Sequence, residues 1–202
     1  MLTRRIAIAA VTALLALPVA AMAAPLKIVA TTGMIADAVR EVGGDEVDVK
    51  ALMGPGVDPH AYRQTRTDIV AMTRADLVLW HGLYLEAQME DFMHDLAKRR
   101  TVVAVAEALP KDVLRGNEDY ADKFDPHVWM TPALWKDIVV EVQRTLTEAR
   151  PEARDQFARN AAAHLAELDT LATYGHTVLD KVPADNRVLL TAHDAFGYFG
   201  RD

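Results

Sequence analysis

Seven histidines are the side chains of this 202-residue sequence best suited to holding a metal ion: His60, His81, His94, His127, His164, His176 and His193. Three stand out by context. The tripeptide Asp-Pro-His occurs twice, at Asp58-Pro59-His60 and at Asp125-Pro126-His127, and His193 follows closely on an apolar run that reads as a strand. Neutral imidazole is the commonest metal ligand, and a pocket of several imidazoles suits zinc and its neighbours. The proline before His60 and before His127 restricts the backbone, so less entropy is lost when each ring is fixed. Asp58 and Asp125 are close enough in sequence either to accept a ring N–H or simply to shape the turn, and the sequence leaves both readings open. One Asp-Pro-His alone reads as a turn with an exposed imidazole; two copies plus a strand-end histidine favour a shared site. His60 and His127 are 67 residues apart (127 − 60) and His127 and His193 are 66 apart (193 − 127), too far for a zinc finger. Such spacing fits a site assembled between separately folded parts.

The other histidines fit less well. His81, in Trp80-His81-Gly82, ends a predicted strand and could line a cleft, while His94, His164 and His176 fall on predicted helices among charged residues, where solvation or packing explains them. No His-x-x-x-His pair with a glutamate suggests a zinc hydrolase on a helix. The chain contains neither cysteine nor serine, which removes disulfide scaffolds, thiolate metal sites and cysteine or serine nucleophiles. It has no phosphate-binding glycine loop, and Gly54-Pro55-Gly56 is not a dinucleotide loop. A net charge of −7 offers no footprint for nucleic acid. Trp80, Trp129 and Trp135 read as packing residues rather than a ligand cage.

The elements that must position the three histidines follow from the hydrophobic pattern. Met1 to Ala23 has Arg4 and Arg5, an apolar run from Ile6 to Ala20 and a small-x-small end at Ala21-Met22-Ala23. That pattern predicts a signal peptide, residues 1–23, cleaved after Ala23, rather than a membrane anchor, whose span needs roughly 20 apolar residues. With no cysteine for lipid attachment, the expectation is a free protein exported to a bacterial periplasm. Strands are predicted at Leu26–Ala30, Val47–Leu52, Leu77–Trp80 and Thr101–Val105, alternating with helices at Met34–Val42, Thr67–Arg74 and Leu85–Lys98. Strands alternating with helices imply an α/β fold with a parallel sheet covered on both faces. A helix from Pro132 to Glu148 follows. A second, from Pro151 to about Lys181, carries an apolar stripe of Phe157, Ala161, Leu165, Leu168, Leu171, Val178 and Val182. At roughly 45 Å it is long enough to bridge two lobes. A last strand is expected at Arg187–Thr191, opening a second α/β lobe that the chain does not complete. The predicted organisation is therefore a signal peptide over 1–23, an N-terminal α/β lobe over 24–150, a linking helix over 151–182 and the start of a C-terminal lobe over 183–202.

Four segments together resemble the periplasmic metal-binding solute-binding proteins of zinc and manganese ABC transporters, of the TroA-like kind: Gly56 to Tyr62, Trp80 to Glu86, Asp125 to Met130 and Thr191 to Phe199. The resemblance implies two parallel-sheet lobes joined by a long rigid helix, a metal ion in the cleft between them, and delivery of that ion to a membrane permease. By position it implies His60 and His127 as ligands from the first lobe and His193 as a ligand from the second. The family's fourth ligand, a carboxylate farther along the second lobe, lies beyond this chain, which on this reading is C-terminally truncated. The His-rich acidic loop of many zinc members has no counterpart in Leu114 to Phe124.

Three imidazoles plus a carboxylate suit tetrahedral Zn²⁺, while Mn²⁺ prefers more oxygen and binds N/O sites more weakly. The expectation is a monomeric, non-enzymatic Zn²⁺ carrier, with a Mn²⁺ carrier as the alternative. Two other classes compete: a zinc hydrolase using the same three histidines, which would need a general base that no motif supplies, and a surface protein with an incidental metal.

Overall fold

In the computed structural model, residues 24–118 and 120–202 are described; the expected signal peptide lies outside them. Short apolar runs form four strands: β1 (Leu26–Ala30), β2 (Val47–Ala51), β3 (Leu77–Trp80) and β4 (Val102–Ala104). They pair in parallel in the order β2-β1-β3-β4, with Ile28 opposite both Val49 and Leu77. Successive side chains of a strand point to opposite faces, and both faces here are apolar. Ile28, Ala30, Leu77 and Leu79 pack into one core, and Val29, Val78 and Trp80 into another.

The first core is closed by helices α1 (Gly33–Gly43), α4 (Pro132–Ala149) and α5 (Arg154–Leu179). Fully buried Ile35, Val39, Ile138, Val142, Leu146 and Phe157 come from their inner stripes, each stabilising the fold by about 1.5–3 kcal/mol. The second core is closed by α2 (Arg66–Arg74) and α3 (Glu90–Ala97), through Met72, Met93 and Met89, the residue just before α3. Local chemistry sets where the helices begin. Thr32 caps α1 by accepting from the Ile35 N–H, Thr65 and Asp68 form a reciprocal capping box on α2, and Pro132 opens α4.

The order of the strands creates a switch point. The chain leaves β1 through α1 on one face towards β2, and leaves β3 through α3 on the other face towards β4. The carboxyl ends of β1 and β3 therefore border a crevice of the kind in which α/β proteins bind ligands. Thr31 and His81 stand at its two sides, next after β1 and β3.

Two expectations need correction. No strand forms over Arg187–Thr191; the segment is irregular, with Val188 84% and Leu190 94% exposed. A strand needs a neighbour to satisfy its backbone and cover its side chains, and among the described residues none lies beside this segment. Helix α3 begins at Glu90 rather than Leu85, because 82–89 is spent in consecutive turns, with Leu85 N–H donating to Gly82 C=O and Met89 N–H to Glu86 C=O. Along the long helix, Phe157, Ala161 and Leu168 of the apolar stripe are buried, and Leu171 and Val178 are exposed.

Candidate metal centre

The three histidines singled out by context converge. His60 comes from the loop after β2, His127 from the loop that precedes α4, and His193 from the irregular segment before α6 (Gly197–Arg201). His60 Nε2 lies 3.3 Å from His127 Nε2, which lies 3.0 Å from His193 Nε2, and all three ring nitrogens fall within 4.8 Å of one another. Imidazole nitrogens about 2.0–2.1 Å from one tetrahedral zinc would be about 3.3 Å apart, so the spacing fits a shared cation. His127 is buried, His60 partly so, and His193 faces solvent.

The Asp-Pro-His repeat builds two different devices. At the first, Asp58 Oδ1 accepts the His60 main-chain N–H at 2.9 Å and closes a turn. At the second, Asp125 Oδ1 accepts the His127 main-chain N–H at 3.0 Å and also the ring Nδ1–H at 2.7 Å. With its Nδ1 proton committed to the carboxylate, His127 turns an Nε2 lone pair towards the other two rings. Burial works to raise the Asp125 pKa, but hydrogen bonds from His127 and the nearby charges of His127 and Arg115 outweigh it and hold the carboxyl below its ordinary range. His60 is shifted down as well, by burial first and by the adjacent His127 next. Both shifts favour a carboxylate and a neutral imidazole, the forms that metal binding requires.

The segment carrying His193 is pinned to the loop carrying His127. Tyr198, fully buried on α6, accepts the Arg115 N–H and donates its hydroxyl proton to the Asp125 C=O, both at 2.9 Å. Arg115 Nε approaches Asp125 Oδ2 at 3.7 Å, and its guanidinium lies against Gly197, where an added Cβ would meet it at 2.6 Å. Around the rings opens a pocket of about 410 Å³ whose lining includes Asp58, Glu118, Asp125 and Asp194, an acidic surround for a cation.

The remaining histidines stay apart from this group. His81 is fully buried behind it, with Nε2 2.7 Å from the Pro126 carbonyl; burial drives its pKa down to about 4, so the neutral ring donates there. His94 lies edge-on to Trp80, and His164 and His176 sit on α5. Trp80 and Trp135 are core residues, whereas Trp129 lies edge-on to both His81 and His127, at 5.3 and 5.1 Å.

Glu86 and Tyr198 fall in segments that carry the family resemblance and Arg115 in none of them, but no feature of the sequence gives any of the three a role at the site. Tyr198 joins main-chain groups of distant segments, Arg115 approaches the Asp125 carboxylate, and Glu86 accepts from the nearby His81 and Gly82 N–H groups and the distant Thr31 hydroxyl; none of these contacts leaves a spacing motif. The one usable signal was Gly82 at the end of β3, which marks a special turn.

Comparison with known proteins places the chain. The family model described as "ZnuA: Zinc-uptake complex component A periplasmic" matches residues 28–202. The zinc-binding protein TroA of Treponema pallidum is 43% identical over 174 residues, covering 86% of this chain and 56% of the relative. The manganese-binding lipoprotein MntA of Bacillus subtilis is 41% identical over 177 residues, covering 88% and 58%. The iron-binding protein YfeA of Yersinia pestis is 31% identical over 176 residues, covering 87% and 56%. The solved structure of the T. pallidum periplasmic zinc-binding protein TroA superposes with a TM-score of 0.84 at 42% identity, over 88% of this chain and 63% of that one. The chain thus spans somewhat more than half the length of the curated relatives it matches.

Proposed function

Because this chain belongs to the ZnuA family of periplasmic zinc-uptake components, we propose that it captures Zn²⁺ in the periplasm with His60, His127 and His193 and delivers it to the permease of an ABC transporter. The observation that carries the reading is that His127 Nε2 lies 3.3 Å from His60 Nε2 and 3.0 Å from His193 Nε2, with the His127 tautomer set by Asp125. The ion is cargo and is bound without chemical turnover; the relatives are named as binding proteins. The proposal includes export by residues 1–23, a monomeric carrier, and an arrangement in which α5 links a lobe over 24–150 to a second one beginning near 183.

Zinc is preferred because imidazole donors bind Zn²⁺ more tightly than Mn²⁺ in the divalent series. Manganese is the second reading, favoured by the 41% identity to a relative named as manganese-binding. Equilibrium dialysis of the chain against equimolar Zn²⁺ and Mn²⁺, followed by metal analysis, decides between them. About one zinc and no manganese per chain is expected, with the zinc lost in His60→Ala; retention of manganese instead would establish the alternative.

A further inference from the structure

Behind the three convergent rings, the crevice at the switch point of the sheet is filled by a polar cluster that contributes no ligand atom. We propose that Glu86 and His81 are positioning residues for the metal centre: the Glu86 carboxylate locks the chain at the ends of β1 and β3, and the His81 ring, set by that lock, fixes the Pro126 carbonyl and so the place from which His127 presents Nε2. The inference rests on the proposed metal-binding function and deepens it.

Glu86 is fully buried, and its partners are neutral donors. Its Oε1 accepts from the Thr31 hydroxyl at 2.5 Å and from the His81 N–H at 2.8 Å, and Oε2 accepts from the Gly82 N–H at 3.2 Å. One carboxylate thereby ties the residue after β1 to the two residues after β3, across the crevice. Burying a carboxylate without a cationic partner is costly, so the site maintains it against a gradient that an apolar side chain would not face.

The turn that this carboxylate holds is strained. Gly82, Leu83 and Tyr84 all have positive φ, at 80°, 52° and 68°. A Cβ at Gly82 would also meet Ala104 Cβ and Glu107 Cγ at 2.9 Å, so the turn excludes any other residue there. Left-handed geometry at two consecutive non-glycine residues persists only where the surroundings over-determine it, and such strain clusters at functional sites.

What the lock orients is the ring of His81. Its Nε2–H donates to the Pro126 C=O at 2.7 Å, while Nδ1 is buried with no hydrogen-bond partner among the described residues. Packing alone would be served better by an apolar side chain, which leaves no buried nitrogen unsatisfied. The histidine is therefore explained by the one bond it makes. That bond grips the peptide between Asp125 and His127, the residue that sets the His127 tautomer and the ring that faces the ion. Histidine also suits the position because it is an uncharged donor; a lysine or arginine would bring positive charge up behind a cation site.

The test is Zn²⁺ affinity by competition with a chromophoric chelator, measured on the full chain beside the urea midpoint of the metal-free form. His81→Leu is expected to weaken zinc binding at least tenfold with a midpoint equal to or above wild type. His81→Gln, whose amide can donate to the same carbonyl, is expected to recover most of that loss. If His81→Leu does not fold, Glu86→Gln carries the test: it keeps the side-chain shape, removes one acceptor and is expected to weaken binding severalfold. Wild-type affinity in His81→Leu, or in Glu86→Gln should the first variant not fold, overturns the inference, as does a loss in His81→Gln equal to that in His81→Leu. A wild-type chain that retains no zinc overturns the proposed function as well; wild-type binding with unaffected variants overturns the positioning role alone.

Discussion

Asp125 Oδ1 sits 2.7 Å from His127 Nδ1 and 3.0 Å from the His127 main-chain nitrogen, so a single carboxylate oxygen sets both the turn and the proton position of the ring. Asp58 Oδ1, in the same tripeptide context, reaches only the main chain of His60. The two copies of one motif thus differ in what they do for their histidines.

Asp125→Ala should therefore weaken zinc binding by about 10- to 100-fold, the usual consequence of removing the partner of a ligating imidazole. Asp58→Ala should cost less, because it removes a turn contact and leaves the His60 ring without a lost partner. Competition titrations of both variants against wild type check the ordering; equal losses would mean that Asp125 acts only as a turn former.

Tyr198→Phe removes the hydroxyl that joins the Arg115 N–H to the Asp125 C=O and leaves both main-chain groups short of a partner. The expected destabilisation is about 1–3 kcal/mol, read from urea unfolding of the metal-free chain. Zinc affinity should fall as well, because the same hydroxyl keeps the segment with His193 in register with the loop carrying His127. A stability loss with unchanged affinity would confine Tyr198 to the fold.

Stability of the metal-free chain should depend on pH through His81. Burial is the largest cause holding its folded pKa down at about 4, below the ordinary 6.5, with the charges of His127 and His60 adding to it against the bond to Pro126. Between pH 6.5 and 4 the unfolded chain binds a proton that the folded chain refuses, so stability drops as the pH falls through that window, by on the order of 3 kcal/mol from this group. Glu86, its pKa raised by burial, works with the opposite sign above its ordinary value. The difference between wild type and His81→Gln isolates the histidine. Urea midpoints at pH 7 and pH 4.5 should diverge more in wild type than in the variant, and equal divergence would mean that His81 titrates normally.

Sequence patterns revealed most of the frame and the identity of the converging rings, for a physical reason. Leu77–Trp80 is apolar at every position because both faces of the sheet are covered, and such a run is readable without any partner. Arg187–Thr191 has the same apolar character yet forms no strand, since strand formation depends on a neighbour that composition does not encode. Helix α3 starts later than the pattern predicts because the left-handed turn at Gly82, Leu83 and Tyr84 is held by the Glu86 carboxylate, which accepts the His81 and Gly82 N–H groups a few residues upstream. His60, His127 and His193 were legible from the repeated tripeptide and the segment before His193, whereas the division of labour between Asp58 and Asp125 required their distances.

Whether three imidazoles share one ion is read from zinc K-edge X-ray absorption of the zinc-loaded chain. A first shell containing three imidazole nitrogens at about 2.0–2.1 Å is expected. A shell of oxygen donors with one imidazole or none would contradict it.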